Sequence, residues 1–353
     1  MIVVIDDATF AEEITPSLVS AVQSALAAAQ LGLHRVLVSP VALEIAEAVA
    51  PELPFLQGLR IAQGGWVEGN AMARLASRVL VLTANPDRRS HQEENRYFVH
   101  CDDVEERGLF REPSVVMESM ATDAKWLKIC MRAILQLSSS EFRRYWHAKP
   151  EQGGGSTLFN FVHRYADDDP NPMAIVVDRD ANGEPPRHST ADKVLRSSVS
   201  KGIFADRNTA HAGGFSSSMP NISIHVLNCW SIENLIFPKV MEIFFNELAN
   251  GIGDTSRRET IVRIFPSFPD IANDRAEDWL FLKFKNNPTH GGGSIFDSGC
   301  IDRLIAWIDQ NESNYSRFAA TLLEEANKPV FDAALRGALR DFWSVGQRLK
   351  TLA

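Results

Sequence analysis

The stretch Met173 to Gly183, MAIVVDRDANG, constrains the fold of this chain more than any other. Four apolar residues, Ala174 to Val177, run straight into two acids two positions apart, Asp178 and Asp180, and Asn182-Gly183 is a turn signal that stops the run. A short apolar run bounded by turn residues reads as a central parallel strand, because a strand covered on both faces is apolar at every position. Residues i and i+2 of a strand point the same way, which sets Asp178 and Asp180 on one side at its carboxyl end. Open α/β sheets place their sites there. Two like charges this close raise one another's pKa unless a cation lies between them, and a divalent metal meets that need. A lone Asp-x-Asp is more commonly a strand running into a solvated acidic turn, and only the company of further acids changes that.

At 353 residues, with 45% hydrophobic and 23% charged residues, the chain suits two domains, or one with a large appendage, each with its own core. A net charge of -9 gives no bulk attraction to nucleic acid, so such a partner has to meet a local basic patch. Cys101, Cys130, Cys229 and Cys300 are far apart and form no Cys-x-x-Cys pair, which argues for reduced cytosolic thiols over a zinc site or a disulfide framework. Asp6 and Asp7 directly follow MIVVI with no basic segment before it, and no apolar run approaches membrane-spanning length. The expectation is a cytoplasmic protein without a membrane partner.

Residues 1–112 read as a small α/β domain. Strands are expected at Ile2 to Ile5, Arg35 to Val38, Arg78 to Thr83 and Tyr97 to Val99, alternating with helices at Ser17 to Leu31 and Val41 to Ala50. Asp6, Glu44 and Asp87 follow strands or lie on a helix in an order similar to PIN-like nuclease domains, whose acids surround a metal. Glu44 and Glu47 are equally explained as the solvated face of their helix.

Residues 113–237 read as a second α/β unit. Ser114 to Met117 is a strand ending at Glu118, and Thr122 is the expected cap of a helix carrying Trp126, Ile129, Cys130, Ala133 and Ile134 at helical spacing. Asp123 falls in its first turn, where the helix dipole accounts for an acid. A strand is expected around Phe142 to His147. Gly153-Gly154-Gly155-Ser156 lacks the Lys-Ser/Thr of a P-loop and reads as a flexible connector before a helix from Thr157 to Tyr165. Asp167, Asp168 and Asp169 precede the Met173 strand. From Gly183 to Pro220 the chain is polar, with Arg187, His188, Lys193, Arg196, Lys201 and Arg207 able to face a phosphate backbone. Asn221 to Leu227 alternates as a strand leading to Ser231, a helix cap, and Glu233 in the first turn, where a dipole role again accounts for an acid. Residues 238–353 read as helical, ending in an amphipathic helix with Phe331, Leu335, Leu339, Phe342, Val345 and Leu349. Lys283 and Lys285, before a second triple glycine at Gly291, are weak phosphate-binding candidates.

Taken in order, Glu118 after a strand, Asp178 and Asp180 after a later strand, and Glu233-Asn234 after a third resemble a TOPRIM domain, the metal-binding fold of topoisomerases, bacterial primases and overcoming-lysogenization-defect nucleases. VVMES and VVDRD match the positions of its Glu and Asp-x-Asp, and WSIENLIFP is similar to the Glu-Asn-Tyr-Leu stretch of phage-defence members. The chain departs from the family at Ser119, where a Gly is usual, at Asp123, one position late, and at Leu235, where a Tyr is usual. The resemblance covers about a third of the chain. It implies an α/β fold with a central TOPRIM-like parallel sheet and a magnesium- or manganese-dependent nuclease in which Glu118, Asp178, Asp180 and Glu233 are both metal ligands and catalytic groups. Two ions about 3.5–4 Å apart would activate water and stabilise the leaving oxygen of a phosphodiester in DNA, tRNA or another RNA.

The resemblance further implies an antiviral defence effector. With no ATPase motif of its own, the chain is expected to work with a separate partner such as an ABC-type ATPase, and to be able to form a homo-oligomer. One rival is a nuclease acting through the PIN-like N-terminal acids, and another is a TOPRIM-like binding subunit with a decayed site. A haloacid-dehalogenase-type phosphatase also uses Asp-x-Asp, but followed by Gly-Thr, which Ala181-Asn182 does not supply.

Overall fold

A computed structural model describes residues 1–10, 12–73, 78–167, 170–211, 214–216, 219, 221–247, 252–284 and 299–346. The protein is an α/β structure built on two mainly parallel sheets. The apolar runs near the N-terminus form Ile2–Ile5 (β1), Arg35–Val38 (β2), Val79–Thr83 (β3) and Arg96–His100 (β5), with the short edge strand Gln92–Glu93 (β4). Their order is β2-β1-β3-β5-β4, parallel except at the β4–β5 edge. Thr15 and Ser39 accept hydrogen bonds from Leu18 and Ala42 N–H groups and so start the helices Pro16–Gln30 and Pro40–Val49, each with proline in its first turn. These helices and Leu56–Gln63 bury one face of the sheet around Val3, Ile5, Val36, Val38, Leu80 and Leu82. The opposite face, with Ile2, Val4, Leu37, Val79, Val81 and Phe98, is packed, among the described residues, by Ala73 and the half-buried Trp66.

The second sheet comprises Ser114–Met117 (β6), Lys149–Gln152 (β7), Met173–Val177 (β8), Gly214–Phe215 (β9) and Ile222–Val226 (β10), in the order β7-β6-β8-β10-β9 with only β9 antiparallel. Numbered within each unit, both sheets have the same order: second strand, first, third, fifth, fourth. The expected central strand is β8, buried at all five positions between β6 and β10.

The helices after Pro238 share one core with this sheet. Val115, Met117, Ala174 and Val176 from one sheet face belong to the same buried cluster as Phe244, Trp279, Leu304, Phe318 and Phe331. The helix Pro329–Gly346 crosses β6, β8 and β10, and Phe331 stacks on Phe237 with centroids 4.4 Å apart. Leu335 and Leu339 are buried on it as expected, whereas the side chains of Phe342 and Val345, and Leu349 altogether, lie outside the described residues. The other sheet face packs on the helices Phe159–Asp167 and Thr190–Ser200.

Three local expectations change. Residues 142–147 do not form a strand: Ser139–Tyr145 is a helix, and the strand follows at Lys149–Gln152. The reason is local, since Ser138 and Glu141 form a reciprocal capping box, with Glu141 Oε2 accepting from Ser138 N at 2.9 Å and Ser138 Oγ from Glu141 N at 3.3 Å. The polar stretch after Gly183 contains two helices, Thr190–Ser200 and Arg207–His211, because Ser189 caps the first and Asp192, buried at its start, binds Arg196 and Arg207. The helix after β6 is started by Ser119 and not by Thr122, through a π-helical turn Met120–Ala124 that leads into Lys125–Ile134. No helix among the described residues is long and apolar enough to cross a membrane.

Candidate functional site

Because β6, β8 and β10 are adjacent and parallel, the residues that follow them emerge at one end of the sheet. Val116 pairs with Ile175 and Val177 with Val226, so Glu118 and Asp178 leave neighbouring strands at nearly the same level. Neighbouring strands are about 4.8 Å apart, which sets the scale of the mouth.

The segment after β10 folds back over Asp178. Its Oδ1 accepts from the Ile232 backbone N–H at 3.0 Å, so this carboxylate holds the start of the 3-10 turn Ile232–Leu235 that carries Glu233. Asp178 thus positions a second acid. Asp180 N–H donates to Trp230 O at 2.9 Å, and Asp180 takes a left-handed backbone, φ 59°, which is uncommon for a residue with a side chain. Arg179, between the two acids, donates to Leu227 O at 2.9 Å and Asn228 Oδ1 at 2.7 Å. The turn is fixed from below by Asn234, whose Nδ2 donates to Trp279 O and Leu282 O and whose Oδ1 accepts from Ser231 N–H. Ser231 is the N-cap of the turn, as expected, and its hydroxyl also donates to Asn234 Oδ1, at 3.1 Å.

Glu118, Asp178 and Asp180 are half-buried, Glu233 is buried, and Glu118 Oε1 and Glu233 Oε2 are shielded from solvent. Cys229 is buried nearby. Burial, reinforced by the Asp178 and Glu233 carboxylates, pushes its thiol well above the ordinary range, and the neutral S–H donates to Ser231 O.

The glycine segment is not a slack connector. Gly153 N–H donates to Met117 O at 2.7 Å, continuing the β6 ladder, and Gly154 and Gly155 both adopt left-handed backbones, φ 61° and 53°. A Cβ on Gly155 would lie 4.0 Å from Glu118 Oε2, so this turn forms a wall of the mouth. Asp123 turns inward to its own loop, accepting from Ser119 N–H at 2.9 Å and from the Thr122 hydroxyl at 2.9 Å.

Three of the basic residues of the 184–220 stretch are engaged with acids. Arg196 and Arg207 pair with Asp192, and Lys201 pairs with Asp167. Lys283 lies with its ammonium 5.6 Å from the Trp230 ring centroid, whereas Lys285, Gly291, Asp168 and Asp169 lie outside the described residues.

The mouth of the first sheet is built differently. Asp6 at the end of β1 accepts from Ala8 N–H and pairs with Arg96 of β5, while burial raises its pKa against the pull of that guanidinium. A cavity of about 600 Å³ beside Asp6 and Asp7 is lined by neither Glu44 nor Asp87, both of which are exposed.

Among the described residues, His100, Cys101 and Asp102 at the end of β5 are the set of His, Cys, Asp or Glu whose ligand atoms all lie within 4.8 Å of one another. The four acids of the second mouth are therefore spread more widely than a single closed ion cage. The His100 cluster has no signature in the sequence, because adjacent residues of a strand normally point to opposite faces and only the turn after β5 brings them together.

No protein-family model, curated protein or solved structure matches this chain.

Proposed function

We propose that the chain is a magnesium- or manganese-dependent nuclease of the TOPRIM type, acting on DNA or RNA through the acidic mouth of its second sheet. The observation that carries this reading is the emergence of Glu118 and Asp178 at the same end of adjacent parallel strands, with Asp178 fastening the turn that bears Glu233. The donor set fits the ion. Glu118, Asp178, Asp180 and Glu233 offer only carboxylate oxygens, two of them shielded from water, and hard divalent cations take such ligands. When bound, magnesium supplies a Lewis acid for the phosphodiester and an acidified water.

The chain's own groups prepare that site. Asp178 orients the Glu233 turn, the left-handed Asp180 is held by Trp230 O, and the bare glycine turn at Gly154 and Gly155 gives a phosphate backbone room beside Glu118. Service as an antiviral effector follows from the resemblance, control by a partner ATPase from the resemblance together with the lack of an ATPase motif in this sequence, and a cytoplasmic location from the widely spaced cysteines.

One observation favours a second reading, a binding subunit without catalysis: the four acids are not drawn within the span of one ion cage. The test is cleavage of plasmid DNA and total tRNA by purified protein with magnesium or manganese, comparing wild type with Asp178→Ala, Glu118→Gln and Asp6→Asn. Cleavage lost in the first two and kept in the third supports the proposal. Cleavage lost only with Asp6→Asn moves the activity to the first sheet, and metal-independent nucleic-acid binding with no cleavage by wild type supports the binding subunit.

A further inference from the structure

The groove between the helices Lys125–Ile134 and Ser139–Tyr145 lies outside the acidic mouth and carries charge opposite to that of the protein as a whole. It encloses about 320 Å³ and is lined by Lys125, Lys128, Arg132, Arg143 and His147, with Asp309 as the one acid among its lining residues. In a chain of net charge -9 such a concentration of cations needs a cause. Lys125, Lys128 and Arg132 are spaced i, i+3 and i+7, so they mark one helix face over about 10 Å. That helix starts directly after the π-helical turn following Glu118, so the stripe begins beside the acidic mouth and leads away from it.

The cations divide into two groups. Arg132 is structural: its guanidinium rests 3.4 Å from the Tyr315 ring centroid, and Nε donates to Leu137 O. His147 bonds Glu112 Oε1 at 2.9 Å. Among the described residues, Lys125, Lys128 and Arg143 meet no carboxylate. Lys125 and Arg143 are exposed, but Lys128 is half-buried with its ammonium 5.0 Å from the Trp146 ring centroid, and burial holds its pKa below the usual lysine range. A solvated helix face would leave that ammonium in water. Phe142, half-buried, stacks with the buried Trp146, centroids 5.7 Å apart and planes 20° from parallel. Cations with no carboxylate partner beside stacked aromatic rings are the two components with which proteins hold a single strand, the first for phosphates and the second for bases.

We propose that this groove binds one strand of nucleic acid, with phosphates on Lys125, Lys128 and Arg143 and a base against Phe142, and that it guides the strand to the acidic mouth. The identity of the ligand rests on the nuclease reading above. A duplex hides its base faces and is too wide for a groove of this volume, whereas an acidic peptide would use the cations but leave the aromatic pair without a role.

The test measures binding with cleavage switched off. Fluorescence anisotropy of labelled single-stranded DNA and RNA of about ten nucleotides, and of the matching duplex, is recorded on the full chain in EDTA across a salt series. The proteins are wild type, Asp178→Ala, Phe142→Ala and the double variant Lys128→Gln/Arg143→Gln, each checked for an unchanged thermal melt. Wild type and Asp178→Ala are expected to prefer the single strand. The double variant should bind it at least tenfold more weakly with a shallower salt dependence, by about 1.4 in log–log slope for two lost phosphate contacts. Phe142→Ala should weaken it about fivefold or more at every salt concentration. Unchanged binding by the double variant, equal or tighter binding of the duplex, or displacement of the strand by polyglutamate from wild type but not from the double variant would overturn the proposal, the last in favour of an acidic protein partner. If wild type cleaves and Asp178→Ala does not, yet the double variant binds normally, the groove fails while the nuclease reading stands. Groove-dependent binding by a protein that never cleaves gives the reverse result.

Discussion

The two sheets share one strand order and differ in how an arginine is used at their mouths. In the first sheet the first strand ends in Asp6, and Arg96, arriving on β5, pairs with that carboxylate. In the second, the arginine at the mouth is Arg179, and its guanidinium is directed to neutral oxygens, Leu227 O and Asn228 Oδ1. Asp178 beside it accepts from a backbone N–H and thereby sets the position of Glu233. One topology therefore yields an internally balanced ion pair in one copy and a concentration of carboxylates in the other. A strand order supplies places for side chains, and the charge brought to those places decides whether a cation is needed there.

The comparison breaks most directly through cleavage. Asp178→Ala should lower the rate by about 1000-fold, a loss of about 4 kcal/mol of transition-state stabilisation, while Asp6→Asn stays within about twofold of wild type; equal losses in a magnesium-dependent gel assay would erase the distinction between the mouths. Next is packing. Trp126→Ala, which removes a fully buried indole beside Phe318 in the second unit, should cost about 3–5 kcal/mol in urea unfolding, against about 1–2 kcal/mol for Trp66→Ala, which removes a half-buried indole in the first.

Acid should act on the first unit through His34. Burial holds its pKa well below the ordinary value, so the unfolded chain binds a proton that the folded chain refuses. Stability should fall as pH drops below about 6.5, by up to about 1.4 kcal/mol per pH unit, and His34→Gln should flatten that slope in unfolding curves between neutral and acid pH. The smallest effect expected is that of Arg96→Ala, about 1 kcal/mol because the arginine is partly exposed. Without it the already raised pKa of Asp6 climbs further. A group whose folded pKa lies above its unfolded value stabilises below that range and loses the effect as pH rises, so the penalty should be larger at pH 7 than at pH 4, and Asp6→Asn should remove that difference.

Much of this architecture is legible along the chain. The runs IVVI, RVLV, SVVM and MAIVV appear in the structure as strands at the same residues, because continuous burial leaves a continuous apolar signature. The attachment of Glu118 and Asp178 to strand ends follows from the same signal. What was missed is of two kinds. Ser138 and Glu141 carry a readable capping signal that outweighs the aromatic residues of 142–147, so that segment is a helix. The left-handed glycine wall beside Glu118, the inward turn of Asp123 and the pairing of Arg196 and Arg207 with Asp192 depend on contacts that no local pattern records.

By itself, then, the sequence determined the α/β class, the central strand and the acids at its carboxyl end, since each depends on the burial of a few consecutive residues. Only the tertiary structure decided which of two mouths of equal topology keeps its arginine away from the acids. That choice depends on Arg96 reaching Asp6 across 90 residues of chain while Arg179 turns to Leu227 O, and long-range pairings of this kind are set by packing.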